Sequence, residues 1–166
     1  MQSPRETDVG ELLRQLSGAG VEFIVVGGAA AVLHGAPITT EDLDIVHRRS
    51  PENVSRLKTL LDKLEARVRE LANRRLPPQE SALLGDGHVL LSTCLGPLDC
   101  LGTLIDGRGF EELVSHSESI KDEGAEFLVV DLPTLIELKT KTGRAKDRLM
   151  LPVLVALVEQ LEDSKG

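Results

Sequence analysis

Tyrosine and tryptophan are missing from this 166-residue chain, and phenylalanine occurs at three positions only, Phe23, Phe110 and Phe127. Its core must therefore be aliphatic, and recognition of successive bases on a row of stacked aromatic rings is nearly excluded. Cysteine is almost as scarce. Cys94 and Cys100 cannot form a disulfide framework and have no ligand-spaced partners for zinc. Both are expected to pack as small apolar side chains in a reducing compartment. Positive charge is also short, with 19 Lys and Arg against 27 Asp and Glu and a net charge of −8. That argues against coating nucleic acid by bulk electrostatics and leaves only a local basic groove to look for. No apolar run approaches membrane-spanning length, and the opening MQSPRETDVGELL is polar and acidic, unlike a signal peptide. The expectation is a cytoplasmic protein with no membrane partner.

What is present suits a folded domain: 41% hydrophobic and 28% charged residues, in a chain long enough for a real core. Ser3-Pro4-Arg5-Glu6 has the layout of a capping box, and Val9, Leu12, Leu13 and Leu16 follow at helical spacing until Gly18 and Gly20. Val21–Val26 reads as a strand. Gly27-Gly28 then turns into a small-residue helix over Ala29–His34, and Glu41–His47 alternates as a second strand. Ser50-Pro51-Glu52 opens a helix expected over residues 51–75. Its apolar stripe is Val54, Leu57, Leu60, Leu61, Leu64, Val68 and Leu71, and its solvated face carries Arg69 and Arg74. Residues 76–86 read as a loop. Val89–Thr93 and Leu98–Leu104 form a hairpin turning near Gly96-Pro97, and Asp106-Gly107-Arg108-Gly109 is a further turn. A short helix over Glu111–His116 and a strand over Glu126–Val130 follow. Asp131 caps a helix from Pro133 to about Thr142. After Gly143 a last helix carries Leu149, Val153, Leu154, Ala156, Leu157 and Leu161. The whole reads as one α+β domain over residues 1–166, a mixed sheet with helices packed against it. Its core spans about 21–130 and its C-terminal helices about 133–162.

Four features bear chemistry. A glycine pair between strand and helix lets a phosphate approach free N–H groups at the helix start, although a tight turn needs the same glycines for its dihedrals alone. Asp42 and Asp44 sit at i and i+2 on one strand face, where like charges repel unless a cation or basic partner joins them. Asp99, flanked by Leu98 and Cys100, is an acid inside an apolar strand and needs a partner to be there. It is the natural third ligand for a divalent metal. A basic run adds Lys139, Lys141, Arg144, Lys146 and Arg148 against the single Asp147. These five cations suit phosphates, or equally a solvated helix end. Thr40 is expected to bond locally in its turn. His34 reads as a capping or packing residue, and His47, His88 and His116 have no ligand spacing.

The set Gly27, Gly28, thirteen residues, Asp42-Leu43-Asp44-Ile45, with a later strand acid at Asp99, resembles the DNA polymerase β-like nucleotidyltransferase superfamily. The segment GGAAAVLHG, Thr40 before Asp42 and the tail LIELKTKTGRAKDRL resemble its small prokaryotic branch, which includes minimal nucleotidyltransferases and AbiEii-type toxins. The likeness covers most of residues 21–154 and implies a nucleotidyltransferase-like fold. It also implies transfer of an NMP from an NTP to a hydroxyl acceptor, an RNA, a protein or a small molecule. Gly27, Gly28, Thr40, Lys139, Arg144 and Lys146 would bind the nucleotide. Asp42, Asp44 and Asp99 would be the catalytic acids and hold Mg²⁺ or Mn²⁺. The toxin-like branch further implies action on RNA and a cognate antitoxin partner. The chain departs from the family pattern at Gly28, where many relatives have serine, at Ile38, where many have arginine, and at Met150, where many have an acid. Those departures define the alternative, a catalytically inactive nucleotide-binding or interaction module that keeps the fold.

Overall fold

The computed structural model describes residues 7–69 and 76–165. The Ser3–Glu6 capping box and the stretch around Leu71 and Arg74 lie outside the described residues. The first helix, α1 (Val9–Gly18), is capped by Asp8, whose carboxylate accepts from Glu11 N, and it buries Leu12, Leu13 and Leu16. Strand β1 (Phe23–Val26) is wholly buried and runs straight into α2 (Gly27–Leu33), so the glycines open the helix rather than precede it. Strand β2 (Leu43–His47) follows, then α3 (Pro51–Lys63), capped by the Ser50 hydroxyl.

Helix α3 stops twelve residues short of its expected end at 75. Glu65 takes a left-handed backbone (φ 55°), and the chain re-extends as β3 (Arg67–Val68). The expected loop over 76–86 contains a short helix, α4 (Glu80–Leu84), which buries Leu83. Strands β4 (His88–Thr93) and β5 (Gly96–Leu101) form the expected hairpin, but it turns at Cys94-Leu95, and Gly96 and Pro97 already pair with β4. Cys94 is consequently exposed, contrary to its expected packing, whereas Cys100 is buried. A short helix, α5 (Phe110–Leu113), leads through a 3-10 turn into β6 (Ser117–Asp122) and its hairpin partner β7 (Ala125–Val130). The sequence pattern contains no sign of β6, since SESIKD is polar apart from Ile120. Helix α6 (Leu132–Thr142) begins on the Asp131 cap and ends at left-handed Gly143; α7 (Ala145–Lys165) follows. Helix α7 turns Met150 and Leu154 inward, while Leu149 and Leu161 are exposed.

The seven strands make one mixed sheet in the order β3-β4-β5-β2-β1-β7-β6. Its central strand is β2, antiparallel to β1 and parallel to β5, with β1 parallel to β7. This is the α+β arrangement expected, and the buried core is aliphatic apart from the three phenylalanines. Phe23 and Phe127 stack across β1 and β7 with ring centroids 6.2 Å apart, so these rings are spent on packing. Leu43, Ile45 and His47 share one face of β2, and His47 Nε2 bonds the Leu83 carbonyl at 2.7 Å, which places α4 on that face. Asp44 points to the other. Among the described residues no helix is long and apolar enough to cross a membrane.

Candidate active site

Alternation along β2 and β5, combined with their parallel register, sets Asp44 directly beside Asp99. On the other side Asp44 pairs with Val26, the last residue of β1, so its carboxyl lies against the turn into α2. Gly27 occupies a left-handed conformation there (φ 67°), and a Cβ on it would lie 2.6 Å from Asp44 Oδ2. Glycine is thus required twice over, by dihedral and by space. Gly28 is pressed against Thr40, whose hydroxyl would stand 3.1 Å from an added Cβ. Thr40 itself donates to the Asp42 carbonyl at 2.9 Å, the local bond expected of it.

The two carboxyls form a tight pair. Burial, then the charge and hydrogen bond of Asp99, then the charge of Asp42, push the Asp44 pKa up to about 7, with Lys139 acting in the opposite direction. Asp44 Oδ1 is buried and has no hydrogen-bond partner. A buried acceptor left unmatched beside a second carboxylate is a donor set suited to a hard divalent cation. Asp42 is less engaged. It precedes the paired part of β2 and acts on Asp44 through charge. Among the described residues, no three His, Cys, Asp or Glu side chains gather as a metal-binding group. The convergent acids are therefore two, Asp44 and Asp99.

Each is flanked by a base. Arg69, expected on a solvated helix face, instead donates from Nη2 to Asp99 Oδ1 at 2.7 Å. Lys139 reaches toward Asp44 from α6 and is anchored by Asp147 at 2.9 Å. Asp147 is the hub of the basic run. Only 1% exposed, it accepts from Lys139, Thr142 and Arg144. Burial raises its pKa, but the Thr142 and Lys139 hydrogen bonds outweigh burial and hold the carboxyl below its usual range. Lys141 is paired as well, with Glu137 at 2.9 Å and Asp106 at 3.2 Å. An acid inside KTKTGRAKDR was the available signal for this hub; Arg69 carried none.

Gly27, Asp44, Lys139 and Arg144 line one cavity of about 410 Å³, together with Asp147, Thr142 and His88. Its apolar walls are Val26, Leu101, Leu104, Ile105, Leu135 and Leu138. Lys146 is not among its residues. It lines a separate groove with Pro37, Ile38, Thr39, Leu149, Met150 and Val153. Ile38 and Met150, the two departures from the family pattern outside the glycine turn, thus share one groove wall. Of the remaining histidines, His34 Nε2 contacts the Val130 carbonyl at 2.7 Å and joins α2 to the end of β7.

No family model matches the chain. Solved structures similar in fold include the following two. The lincosamide antibiotic adenylyltransferase LnuA, in a lincomycin-bound crystal structure, superposes with a TM-score of 0.63 over 92% of this chain and 99% of its own, at 12% identity. A candidate nucleotidyltransferase from Thermotoga maritima, TM1012, superposes with a TM-score of 0.54 over 89% of this chain and 90% of its own, at 16% identity. The chain has the nucleotidyltransferase-like fold.

Proposed function

We propose that this protein is a metal-dependent nucleotidyltransferase that transfers an NMP from an NTP to a hydroxyl of a small-molecule acceptor. The observation that carries the reading is the in-register pair Asp44 and Asp99, with an unmatched Asp44 oxygen, set against the Gly27 turn at the start of α2. Asp44 and Asp99 would hold Mg²⁺ or Mn²⁺, with Asp42 close by. Such a cation would neutralise the phosphates and stabilise the displacement at the α-phosphorus, with pyrophosphate leaving. The free N–H groups at the start of α2 would face the phosphates, and the missing Cβ of Gly27 lets them come close. Lys139, held by Asp147, would add a fixed positive charge at the cavity wall, and Arg144 a more exposed one. Asp44 or Asp99 would accept the proton of the attacking hydroxyl.

The acceptor class follows from size and charge. A cavity of about 410 Å³ lies in the range that takes drug-sized molecules. Three of the five cations in the tail are committed to ion pairs with Asp106, Glu137 and Asp147. That leaves little basic surface for an RNA in a protein of charge −8. LnuA, an adenylyltransferase seen with lincomycin, supports a small-molecule acceptor in this fold. Incubation with each labelled NTP, Mg²⁺ or Mn²⁺, and pools of hydroxylated metabolites and antibiotics, of RNA and of protein tests the reading. Label transfer to the small-molecule pool that Asp44→Ala abolishes is the expected result. Transfer to RNA alone would restore the toxin-like reading, with its antitoxin partner. No transfer, with no cation-dependent NTP binding, would leave a non-catalytic module, a reading that the Arg69–Asp99 ion pair favours.

A further inference from the structure

Arg69 is held by the scaffold rather than left free on the surface. Its backbone N–H donates to the Leu90 carbonyl at 2.9 Å, extending the pairing of β3 along β4. One guanidinium nitrogen donates to the Leu91 carbonyl at 2.5 Å, and the other reaches across β4 to Asp99. Because Leu90 pairs with Asp99 and Asp99 with Asp44, a transverse row crosses the sheet from Arg69 through Leu90, Asp99 and Asp44 to Val26. The Asp99 side chain is 13% exposed and that of Arg69 28%. Two neighbouring carboxyls in such a place need a counter-charge in the resting protein. The guanidinium supplies it to one of them and leaves the other with an unmatched oxygen.

We infer that Arg69 is the resident counter-ion of the carboxylate pair and competes with a divalent cation for Asp99, so that it sets the cation affinity of the site. This rests on the reading of Asp44 and Asp99 as cation ligands. A doubly charged ion entering between them either displaces the guanidinium from Asp99 or binds beside it against repulsion. Both weaken binding relative to a site with the same carboxylates and no arginine. Arg69 is thus a charge-setting residue, distinct from the ligands, and it keeps the metal-free protein folded at the cost of affinity for the ion.

Calorimetric titration of the full chain with Mn²⁺ alone tests this. Arg69→Gln is expected to lower the Mn²⁺ dissociation constant roughly tenfold and to lower the melting temperature of the metal-free protein. Arg69→Lys, which restores the charge, is expected to return the constant most of the way to the wild-type value. Arg69→Met, which keeps the aliphatic reach, serves as the second charge-removing variant. On an Asp99→Asn background, Arg69→Gln is expected to leave Mn²⁺ affinity unchanged, which a merely structural role would not produce. An unchanged or weaker affinity in Arg69→Gln and Arg69→Met, or tightening that persists with Asn at 99, overturns the proposal. If the wild type binds Mn²⁺ through Asp44 and these arginine variants do not tighten it, this inference alone fails. If the wild type binds no Mn²⁺, the cation reading fails and takes the inference with it.

Discussion

Gly27 and Asp44 are in such close apposition that the Asp44 carboxylate fills the space a side chain at 27 would need. A Cβ would lie 2.6 Å from Oδ2, on a residue whose φ is 67°. Gly27→Ala is therefore expected to cost about 1–3 kcal/mol from left-handed strain and crowding. It should also abolish NMP transfer by displacing Asp44. Gly28→Ala meets a movable hydroxyl at 3.1 Å and is expected to cost less. Chemical unfolding and transfer assays of the two variants side by side check the contrast, and equal losses would refute it.

The pH dependence of the metal-free protein follows from the same pair. The Asp44 pKa is raised to about 7, chiefly by burial and then by Asp99. A folded value above the unfolded one means a stabilising contribution present in full below about pH 4 and lost as pH rises through 7. The wild type should therefore lose stability relative to Asp44→Asn between about pH 4 and pH 7 in chelator. His47 acts in the opposite sense, because burial lowers its pKa; its contribution is present above about pH 6.5 and lost on acidification. Both proteins carry His47, so their difference isolates Asp44. Thermal unfolding across pH gives the answer, and a flat difference contradicts the assignment.

Asp147 and Arg144 form an ion pair whose two ends differ in weight. Asp147 is 1% exposed and also serves Lys139 and Thr142, while the Arg144 side chain is 75% exposed. Asp147→Ala leaves a half-buried ammonium unpaired and is expected to cost about 3–5 kcal/mol. Arg144→Ala is expected to stay within about 0.5 kcal/mol. Urea unfolding separates the two, and Arg144→Ala should still weaken NTP binding in a titration.

Away from the site, Asn53 is fully buried at the start of α3 and makes three backbone bonds. Its Oδ1 accepts from Glu22 N, and its Nδ2 donates to the carbonyls of Glu22 and Arg48. Asn53→Ala strands all three groups and is expected to cost about 2–4 kcal/mol. Asn53→Asp, which keeps only the acceptor, should be no milder, by the same unfolding measurement.

The parts of the molecule legible from sequence are those with local chemical markers. Asp131, Pro133 and Gly143 bound α6 almost to the residue, and the Asp42–Asp44 alternation marked a strand with an acidic face. The carboxylate pair and its glycine turn were visible because glycine and acid are conspicuous between apolar strands. What escaped had no such marker. The stop of α3 is a left-handed Glu65, a residue that announces nothing, and Val68 and Leu71 continue the helical stripe past it. That misplaced Arg69 by turning a strand extension into a helix face. Edge strand β6 buries too little to alternate, and its pairing with β7 is a tertiary fact. In α7 the inward face is decided by buried Asp147, which hydropathy reads as a surface residue.

The transverse row from Arg69 to Val26 gathers residues from five separate stretches of the chain, and three of its links are pairings between strands. Strand side chains alternate with a period of two, so a slip of one residue in β2 would turn Asp44 into the core and bring Leu43 or Ile45 to the cavity. Each of those residues is fully buried where it stands, and such a slip would trade two core contacts for one buried acid. The packing of an unremarkable strand thereby proofreads the chemistry: the chain cannot satisfy its oil without also aligning its acids.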